Sequence, residues 1–275
     1  MAAATNKVHL SEVKAVVVDI EGTTTPITFV HDVLFPYVLA HLDEHLCASP
    51  DPADIAALRA LALEDQAQSD SSEECKRFAS ECMLIPEDSE DIVKREEVCK
   101  AVAHNVRVYM KHDRKVTALK QLQGHMWLAG YESGELKGEV YPDVVPALRR
   151  WREHAAVRLF VYSSGSVTAQ RLLFGFSCEG DLLPLFEGHF DTTIGSKREA
   201  ESYSRIAAQI GLEPHSVLFL TDSIFEVRAA LQAHFRVALS DRPGNAHIDP
   251  TELAEVGVPV ITSFEQLDIN TTTTD

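Results

Sequence analysis

The segment that most constrains the fold is Ala15-Val-Val-Val-Asp19, an uninterrupted apolar run that ends in a carboxylate. A strand with no polar alternation is buried on both faces, which is typical of parallel sheets covered by helices. Short β-branched and aromatic runs of this kind recur along the chain. They predict strands over Lys14–Asp19, Val157–Tyr162, Val217–Thr221, Arg236–Leu239 and Pro259–Thr262.

Between the later strands the apolar residues follow helical spacing. The predicted helices are Val144–His154, Val167–Phe174, Glu199–Ile210 and Phe225–His234. Alternating strands and helices predict an α/β fold with a doubly wound parallel sheet. Such sheets bind ligands beyond the carboxyl ends of their strands, so we expect the chemistry there.

The interval after the first strand has a different character. It contains no comparable strand, but apolar residues recur at helical spacing in Val33–Leu46, in Ile55–Leu63 and from Val98 to Met110. We therefore predict an all-helical domain, residues 30–135, inserted into a discontinuous core of residues 1–29 and 136–275.

Charge and composition exclude several classes of partner. The formal net charge of −17 argues against nucleic acid and anionic membranes. No apolar run approaches the ~20 residues of a membrane span. The five cysteines include no CxxC pair, which favours reduced thiols and a cytoplasmic protein. Glu64–Glu97 holds 12 acidic and 4 basic residues, and we expect this segment to face water.

Two acids follow the first strand closely, in Asp19-Ile-Glu21-Gly22. An aspartate at the ligand edge of a sheet can attack phosphorus and form an acyl phosphate that water later hydrolyses. The alternative is that Asp19 only caps a following helix.

Two further loops offer groups for a phosphate. Ser163-Ser164-Gly165-Ser166 follows the second strand and supplies hydroxyls and backbone N–H groups at a helix start. Ser166 could instead serve as an N-cap. Lys197 lies in the loop before a later helix, where it could hold a phosphate, although most lysines are simply solvated.

A second strand ends in an acid, in Val217-Leu-Phe-Leu-Thr-Asp222. Two carboxylates from facing strand ends suit Mg²⁺, which takes few protein oxygens and completes its shell with water and phosphate. Glu226 follows four residues later, and its length suggests a hydrogen bond to metal-bound water.

The order of these motifs resembles the haloacid dehalogenase superfamily of Mg²⁺ phosphatases. Longer strings narrow the resemblance to the enolase-phosphatases, or acireductone synthases, of methionine salvage. These strings are Asp19-Ile-Glu-Gly-Thr-Thr-Thr-Pro-Ile, Gln123-Gly-His-Met-Trp, Tyr162-Ser-Ser-Gly-Ser-Val, Gly188-His-Phe-Asp, Glu201-Ser-Tyr, Leu218-Phe-Leu-Thr-Asp and Arg242-Pro-Gly-Asn.

The resemblance implies a bifunctional reaction. The substrate would be 2,3-diketo-5-methylthiopentyl-1-phosphate, which is enolised and then dephosphorylated to the acireductone 1,2-dihydroxy-3-keto-5-methylthiopentene. It further implies one Mg²⁺ per subunit, a monomer, and a location in the cytoplasm and also the nucleus.

The resemblance also implies a role for each matching residue. Asp19 would be the nucleophile and a Mg²⁺ ligand, with Asp222 as the second carboxylate ligand. Glu21, which replaces the superfamily's usual aspartate, would ligate Mg²⁺ through its carbonyl and serve as general acid and base. Ser163 and Ser164 would bind substrate, and Lys197 would hold the phosphate and Asp19 together.

The helical insertion would then be a cap that excludes water and reads the methylthio group of the substrate. We expect His125, Met126 and Trp127 to form a substrate-facing loop, with packing inside the cap as the alternative for Trp127. The base of the enolisation stays open between Glu21 and His125.

Three other functions compete with this interpretation. One is a phosphatase for another small phosphate ester; another is a phosphoacceptor signalling domain, which would lack a large insertion. The third is an inactive binding protein, which the complete set of reactive residues disfavours.

Overall fold

The computed structural model describes residues 7–48, 50–88 and 91–270. The chain divides into two compact units. One unit runs to Val30 and resumes at Lys137, and the other is His31–Leu136. Of the polar tail Asn270–Asp275, which we predict to be disordered, only Asn270 lies within the described residues.

The described part of unit His31–Leu136 is built from helices, without a strand. Its α-helices are α1 (Phe35–Ala48), α2 (Pro52–Ala67), α3 (Glu73–Glu81), α4 (Ile92–Lys111) and α5 (Thr117–Ser133). Asp51 and Ser72 cap α2 and α3 by accepting backbone N–H bonds with their side chains. Helices α2 and α3 thus begin where the sequence supplies a capping side chain.

The expectation for His125, Met126 and Trp127 is wrong, because they lie within α5 and not in a loop. Met126 is 2 % and Trp127 8 % exposed, and the Trp127 indole N–H donates to the Leu34 carbonyl at 3.0 Å. Packing inside this unit, the alternative interpretation, therefore accounts for Trp127.

Among the described residues of Glu64–Glu97, most acidic side chains are exposed, as predicted. Glu81 is partly exposed, and Asp65 is buried at 3 % exposure. Its two carboxylate oxygens each accept a hydrogen bond of 2.6 Å from the Arg114 guanidinium, so the buried charge is neutralised in place.

The other unit contains a six-stranded parallel sheet in the order β4-β3-β2-β5-β6-β7, and a separate parallel pair β1-β8. Its strands are β1 (Val8–Leu10), β2 (Ala15–Val18), β3 (Arg158–Tyr162), β4 (Gly188–Phe190), β5 (Val217–Thr221), β6 (Arg236–Ser240), β7 (Val260–Ile261) and β8 (Leu267–Ile269). The five predicted strands are all present, with ends moved by at most one residue. The sequence did not predict β1, β4 or β8, which have only three residues each.

The helices of this unit are α6 (Val144–His154), α7 (Val167–Gly175), α8 (Ala200–Ile210), α9 (Ile224–Gln232) and α10 (Pro250–Val256). The chain passes outward from β2 to β4, returns to β5 beside β2, and then passes outward the other way. Right-handed crossovers put the helices of the two halves on opposite faces. The predicted doubly wound sheet is confirmed, and the strand order reverses between β2 and β5.

Helices α8 and α9 cover one face of the sheet. Tyr203 and Ile206 of α8 and Val227 of α9 pack with Val17 and Phe219 in one buried cluster. The aromatic rings meet edge to face, with 5.2 Å between the centroids of Tyr203 and Phe219. This packing makes the central strands a rigid base for the groups that follow them.

One buried ion pair ties three segments of this unit together. Asp143, at the start of α6, accepts hydrogen bonds of 3.0 and 2.9 Å from the Arg242 guanidinium. It also accepts the Phe264 backbone N–H at 2.6 Å. The Arg242 side chain is only 4 % exposed. If the Asp143 carboxylate were removed, water could therefore not take its place beside the guanidinium.

We expect Asp143→Ala to lower the free energy of unfolding by about 3–5 kcal/mol, because it leaves a buried guanidinium without its carboxylate. Urea unfolding measures this loss as a lower midpoint concentration, with the dependence of the unfolding free energy on urea concentration unchanged. Glu201→Ala is the control, since its 3.3 Å pair with Arg205 is exposed and should contribute less than about 0.5 kcal/mol. Equal losses in the two variants would contradict the larger contribution to the free energy of unfolding that we expect from the buried pair.

Candidate active site

The register of the central strands brings the predicted strand ends together. Val18 of β2 pairs with Val161 of β3 on one side and with Leu220 of β5 on the other. The Asp19 N–H continues this ladder, donating to the Leu220 carbonyl at 2.9 Å. Asp19 therefore lies between the end of β3, where Ser163 follows, and the end of β5, where Asp222 follows.

Asp19 is 5 % exposed and does not cap a helix. Its Oδ1 accepts the Ile20 N–H at 2.8 Å, and the chain then makes a tight turn in which the Ile20 carbonyl accepts N–H bonds from residues 23 to 25. The helix-capping interpretation is wrong. The turn instead returns the backbone so that Glu21 and Gly22 lie at the same edge of the sheet.

Lys197 is the main partner of Asp19. Its ammonium lies 2.6 Å from Asp19 Oδ1 and 2.8 Å from Glu226 Oε2, and its side chain is 8 % exposed. The Tyr203 hydroxyl donates to the Lys197 carbonyl at 2.7 Å and fixes the backbone from which the side chain extends. The solvated-lysine interpretation is wrong for this residue.

Burial by itself would lower the pKa of Lys197, but the charges of Asp19 and Glu226 outweigh it and raise the pKa above its ordinary value. The ammonium also lies 5.7 Å from the Tyr162 ring centroid. Lys197 thus stays protonated throughout the physiological pH range and supplies a fixed positive charge beside Asp19.

Glu226, in the first turn of α9, has a partner that the sequence did not indicate. It accepts the 2.6 Å hydrogen bond of the Thr221 hydroxyl and contacts Lys197, so it holds the lysine against Asp19. The spacing from Asp222 identified Glu226 as part of the site. Its contact with Lys197 depends on the path of a loop from a distant part of the chain.

Asp222 lies against the turn that carries Glu21. A β-carbon on Gly22 would lie 2.4 Å from Asp222 Oδ2, so only glycine allows this approach. Gly22 also has φ +70°, which favours glycine independently. Burial, followed by the charges of Asp19 and Glu226, raises the pKa of Asp222 to about 7.

These charges fit a divalent cation. The acids Asp19, Asp222 and Glu226 face the single positive charge of Lys197, and burial together with the charges of Asp19 and Glu226 raises the pKa of Asp222. Within the described ranges, no three His, Cys, Asp or Glu side chains could hold a metal on their own. Mg²⁺ needs no such set, because one or two carboxylates with water and phosphate suffice.

Ser163 and Ser164 occupy the loop after β3. Ser163 is 3 % exposed, and its hydroxyl accepts the Gly165 N–H at 3.2 Å, whereas Ser164 is exposed.

The end of this loop is held by two further side chains. Ser166 accepts the Ala169 N–H at 3.2 Å, which confirms its predicted N-cap of α7. Gln170, which the sequence did not single out, donates to the Gly165 carbonyl at 2.9 Å and holds the loop.

The two candidate bases lie in different surroundings. Glu21 is partly exposed in the turn after Asp19, where its backbone forms a bridge with Thr25. His125, on α5, has Nδ1 2.7 Å from Oδ2 of Asp54, whose side chain is 1 % exposed. Glu21 thus belongs to the turn that follows Asp19, whereas the imidazole of His125 is paired with a buried carboxylate.

Comparison with known proteins agrees with this geometry. The family model of haloacid dehalogenase-like hydrolases matches residues 13–234. Enolase-phosphatase E1 of Branchiostoma floridae is 50 % identical over 94 % of this chain and 84 % of its own length. Enolase-phosphatase E1 of Danio rerio is 47 % identical over 91 % of this chain and 93 % of its own.

The chain belongs to the enolase-phosphatase E1 family. It is accordingly a hydrolase of the phosphatase type, in a superfamily that is generally Mg²⁺-dependent. The crystal structure of UTR4 protein from Saccharomyces cerevisiae has a TM-score of 0.65 to this structure, at 29 % identity. The alignment covers 92 % of this chain and 99 % of that one.

Asp222→Asn should stabilise the protein when divalent cations are removed. An acid whose pKa is raised from 3.8 to about 7 by folding costs stability as pH rises through that interval. With EDTA at pH 8, the variant should gain on the order of 2 kcal/mol in the free energy of unfolding. The gain should vanish near pH 4, and equal stability of both proteins at pH 8 would contradict it.

Proposed function

We propose that the protein converts 2,3-diketo-5-methylthiopentyl-1-phosphate, through its enol phosphate, to 1,2-dihydroxy-3-keto-5-methylthiopentene and phosphate in methionine salvage. Family membership supports the substrate and the two-step reaction. The observation that carries the phosphatase step is the buried contact of Lys197 with Asp19 at the point where the strand order reverses.

Asp19 is the nucleophile of this proposal. Lys197 and the Ile20 N–H both bind Oδ1 and thereby orient the carboxylate. A carboxylate oxygen forms a bond to phosphorus as the bond from phosphorus to the enol oxygen breaks, leaving an aspartyl phosphate. Water then attacks this phosphorus, which releases inorganic phosphate and restores Asp19.

Lys197 and the serine loop bind the phosphate. The ammonium of Lys197 offsets charge on both the phosphoryl oxygens and Asp19, so that two anionic groups can approach. The Ser163 hydroxyl and the backbone N–H groups near Ser164 donate to the substrate. Glu21 protonates the leaving oxygen and later takes the proton of the attacking water.

One Mg²⁺ per subunit fits the carboxylates of Asp19 and Asp222 together with the carbonyl of Glu21. When bound, it supplies positive charge to phosphoryl oxygens and makes the C–H next to a carbonyl more acidic. The proton of that C–H goes to Glu21 or His125, whose partner Asp54 holds its imidazole in one orientation.

Asp19→Asn should reduce phosphate release by at least about 10³-fold, because the amide is not a nucleophile toward phosphorus. Asp241→Asn is the matched control, since Asp241 follows β6 at the same edge of the sheet but is exposed. Phosphate assay of both variants, with folding checked by circular dichroism, measures the effect. Retained hydrolysis in Asp19→Asn would exclude Asp19 as the nucleophile.

A substrate panel tests the identity of the substrate. We expect kcat/KM for the diketo phosphate to exceed that for sugar phosphates by at least about 10³-fold, because the two kinds of substrate would make many different contacts in the same site. Comparable values would favour a phosphatase for another small ester.

We further propose a monomer that acts in the cytoplasm and also in the nucleus. All five cysteines have free thiols, which supports a reducing compartment. In the part of the chain that the structure describes, no helix combines the length and apolar character required to cross a bilayer. The net charge of −17 supports a small phosphate ester as ligand in preference to nucleic acid.

A further inference from the structure

The Arg242-Pro-Gly-Asn245 motif forms a tight turn just after β6. The Asn245 N–H donates to the Arg242 carbonyl at 3.1 Å, and Gly244 has φ +89°. Proline followed by a glycine of positive φ is the sequence that a type II turn requires. The ion pair of Arg242 with Asp143 anchors the first residue of the turn, so the position of Asn245 is fixed.

The amide of Asn245 reaches the turn that follows Asp19. Its Nδ2 donates to the Gly22 carbonyl at 2.9 Å and to the Ser240 carbonyl at 3.1 Å. Both protons of the amide are thereby used, and the orientation of the group is determined, because Oδ1 cannot donate to a carbonyl.

The other end of this amide is left without a partner. Oδ1 of Asn245 is buried and accepts no hydrogen bond from any residue of the described ranges. A buried acceptor without a donor costs about 1–3 kcal/mol, so its retention calls for an explanation.

Asn245 Oδ1 and the Asp222 carboxylate both lie close to the α-carbon of Gly22. A β-carbon on Gly22 would lie 2.8 Å from Asn245 Oδ1 and 2.4 Å from Asp222 Oδ2. Because Gly22 has no β-carbon, these two oxygens, one of a carboxylate and one of a neutral amide, both pack closely against the same stretch of backbone. Both oxygens are acceptors, so the group that satisfies them must supply positive charge or donors.

We propose that Asn245 is a positioning residue of the divalent-cation site. Its Oδ1 accepts a hydrogen bond from a water of the hydrated cation that Asp222 binds, while its Nδ2 holds the backbone next to the Glu21 carbonyl. Cation-bound water is a strong donor and suits this acceptor. The proposal rests on the cation site of the proposed function and adds a residue to it.

The test is the stabilisation of the 275-residue chain by Mg²⁺ alone, measured as the rise of the thermal midpoint with Mg²⁺ concentration. Asn245→Ala should weaken the apparent Mg²⁺ affinity by about 10–100-fold. Asn245→Asp, which restores an accepting oxygen, should bind Mg²⁺ at least about tenfold more tightly than Asn245→Ala.

Asn270→Ala is the matched control. Asn270 also binds backbone groups through its amide, donating to the Val13 carbonyl at 2.6 Å and accepting the Val13 N–H at 3.1 Å. Val13 precedes β2, at the opposite edge of the sheet from Asp19. This variant should lose stability equally with and without Mg²⁺ and keep its Mg²⁺ affinity.

A measurement on the unmodified protein removes any dependence on folding of the variants. With ¹⁵N-labelled asparagine, Mg²⁺ should shift the side-chain amide signal of Asn245 and leave that of Asn270 in place. No shift of the Asn245 signal, or unchanged Mg²⁺ affinity in a folded Asn245→Ala, would overturn this inference alone. No response of the wild type to Mg²⁺ would overturn the cation site as well.

Discussion

The site depends on one buried lysine held between two carboxylates. Lys197 contacts Asp19 at 2.6 Å and Glu226 at 2.8 Å, where water hardly reaches. Three acids at the edge of an apolar sheet would repel one another strongly if no cation joined them. The lysine neutralises one charge permanently, and the remaining excess attracts a metal ion. The overall charge of −17 therefore says little about the local field in which a phosphate would bind.

The fold supplies the geometry that this arrangement needs. Apolar strands β2 and β5 are neighbours because the strand order reverses between them, so the acids that follow them converge. The turn after Asp19 is then fixed from outside by the Arg242 to Asn245 turn, which donates to the Gly22 and Thr23 carbonyls. Secure positioning of this backbone matters because the proposed cation ligand at Glu21 is a carbonyl.

Much of this could be predicted from the sequence. Long apolar runs identified the central strands, and strand ends identified Asp19, Ser163 and Asp222, because these signals are local and repeat along the chain. The contact of Lys197 with Glu226, and that of Asn245 with Gly22, join segments far apart in sequence. Local patterns carry no information about such contacts.

Two errors have physical causes of the same kind. Strand β4 was not predicted because Gly188-His-Phe is too short for its alternation to be recognised, and it forms by pairing with β3. The prediction of a loop around Trp127 rests on the expected contact of this segment with the methylthio group of the substrate and not on the spacing of its apolar residues. In α5 the same residues follow helical spacing with Leu119 and Leu122, and burial of that face decides the structure.

The central claim is that Asp19, oriented by Lys197, is the group that takes the phosphoryl group from the substrate. Acid quenching during turnover of the diketo phosphate, followed by borohydride reduction, converts an aspartyl phosphate to homoserine that peptide mass spectrometry can locate. The proposed mechanism predicts homoserine at position 19 only when substrate is present. Reduction at another carboxylate, or none during active turnover, would contradict it.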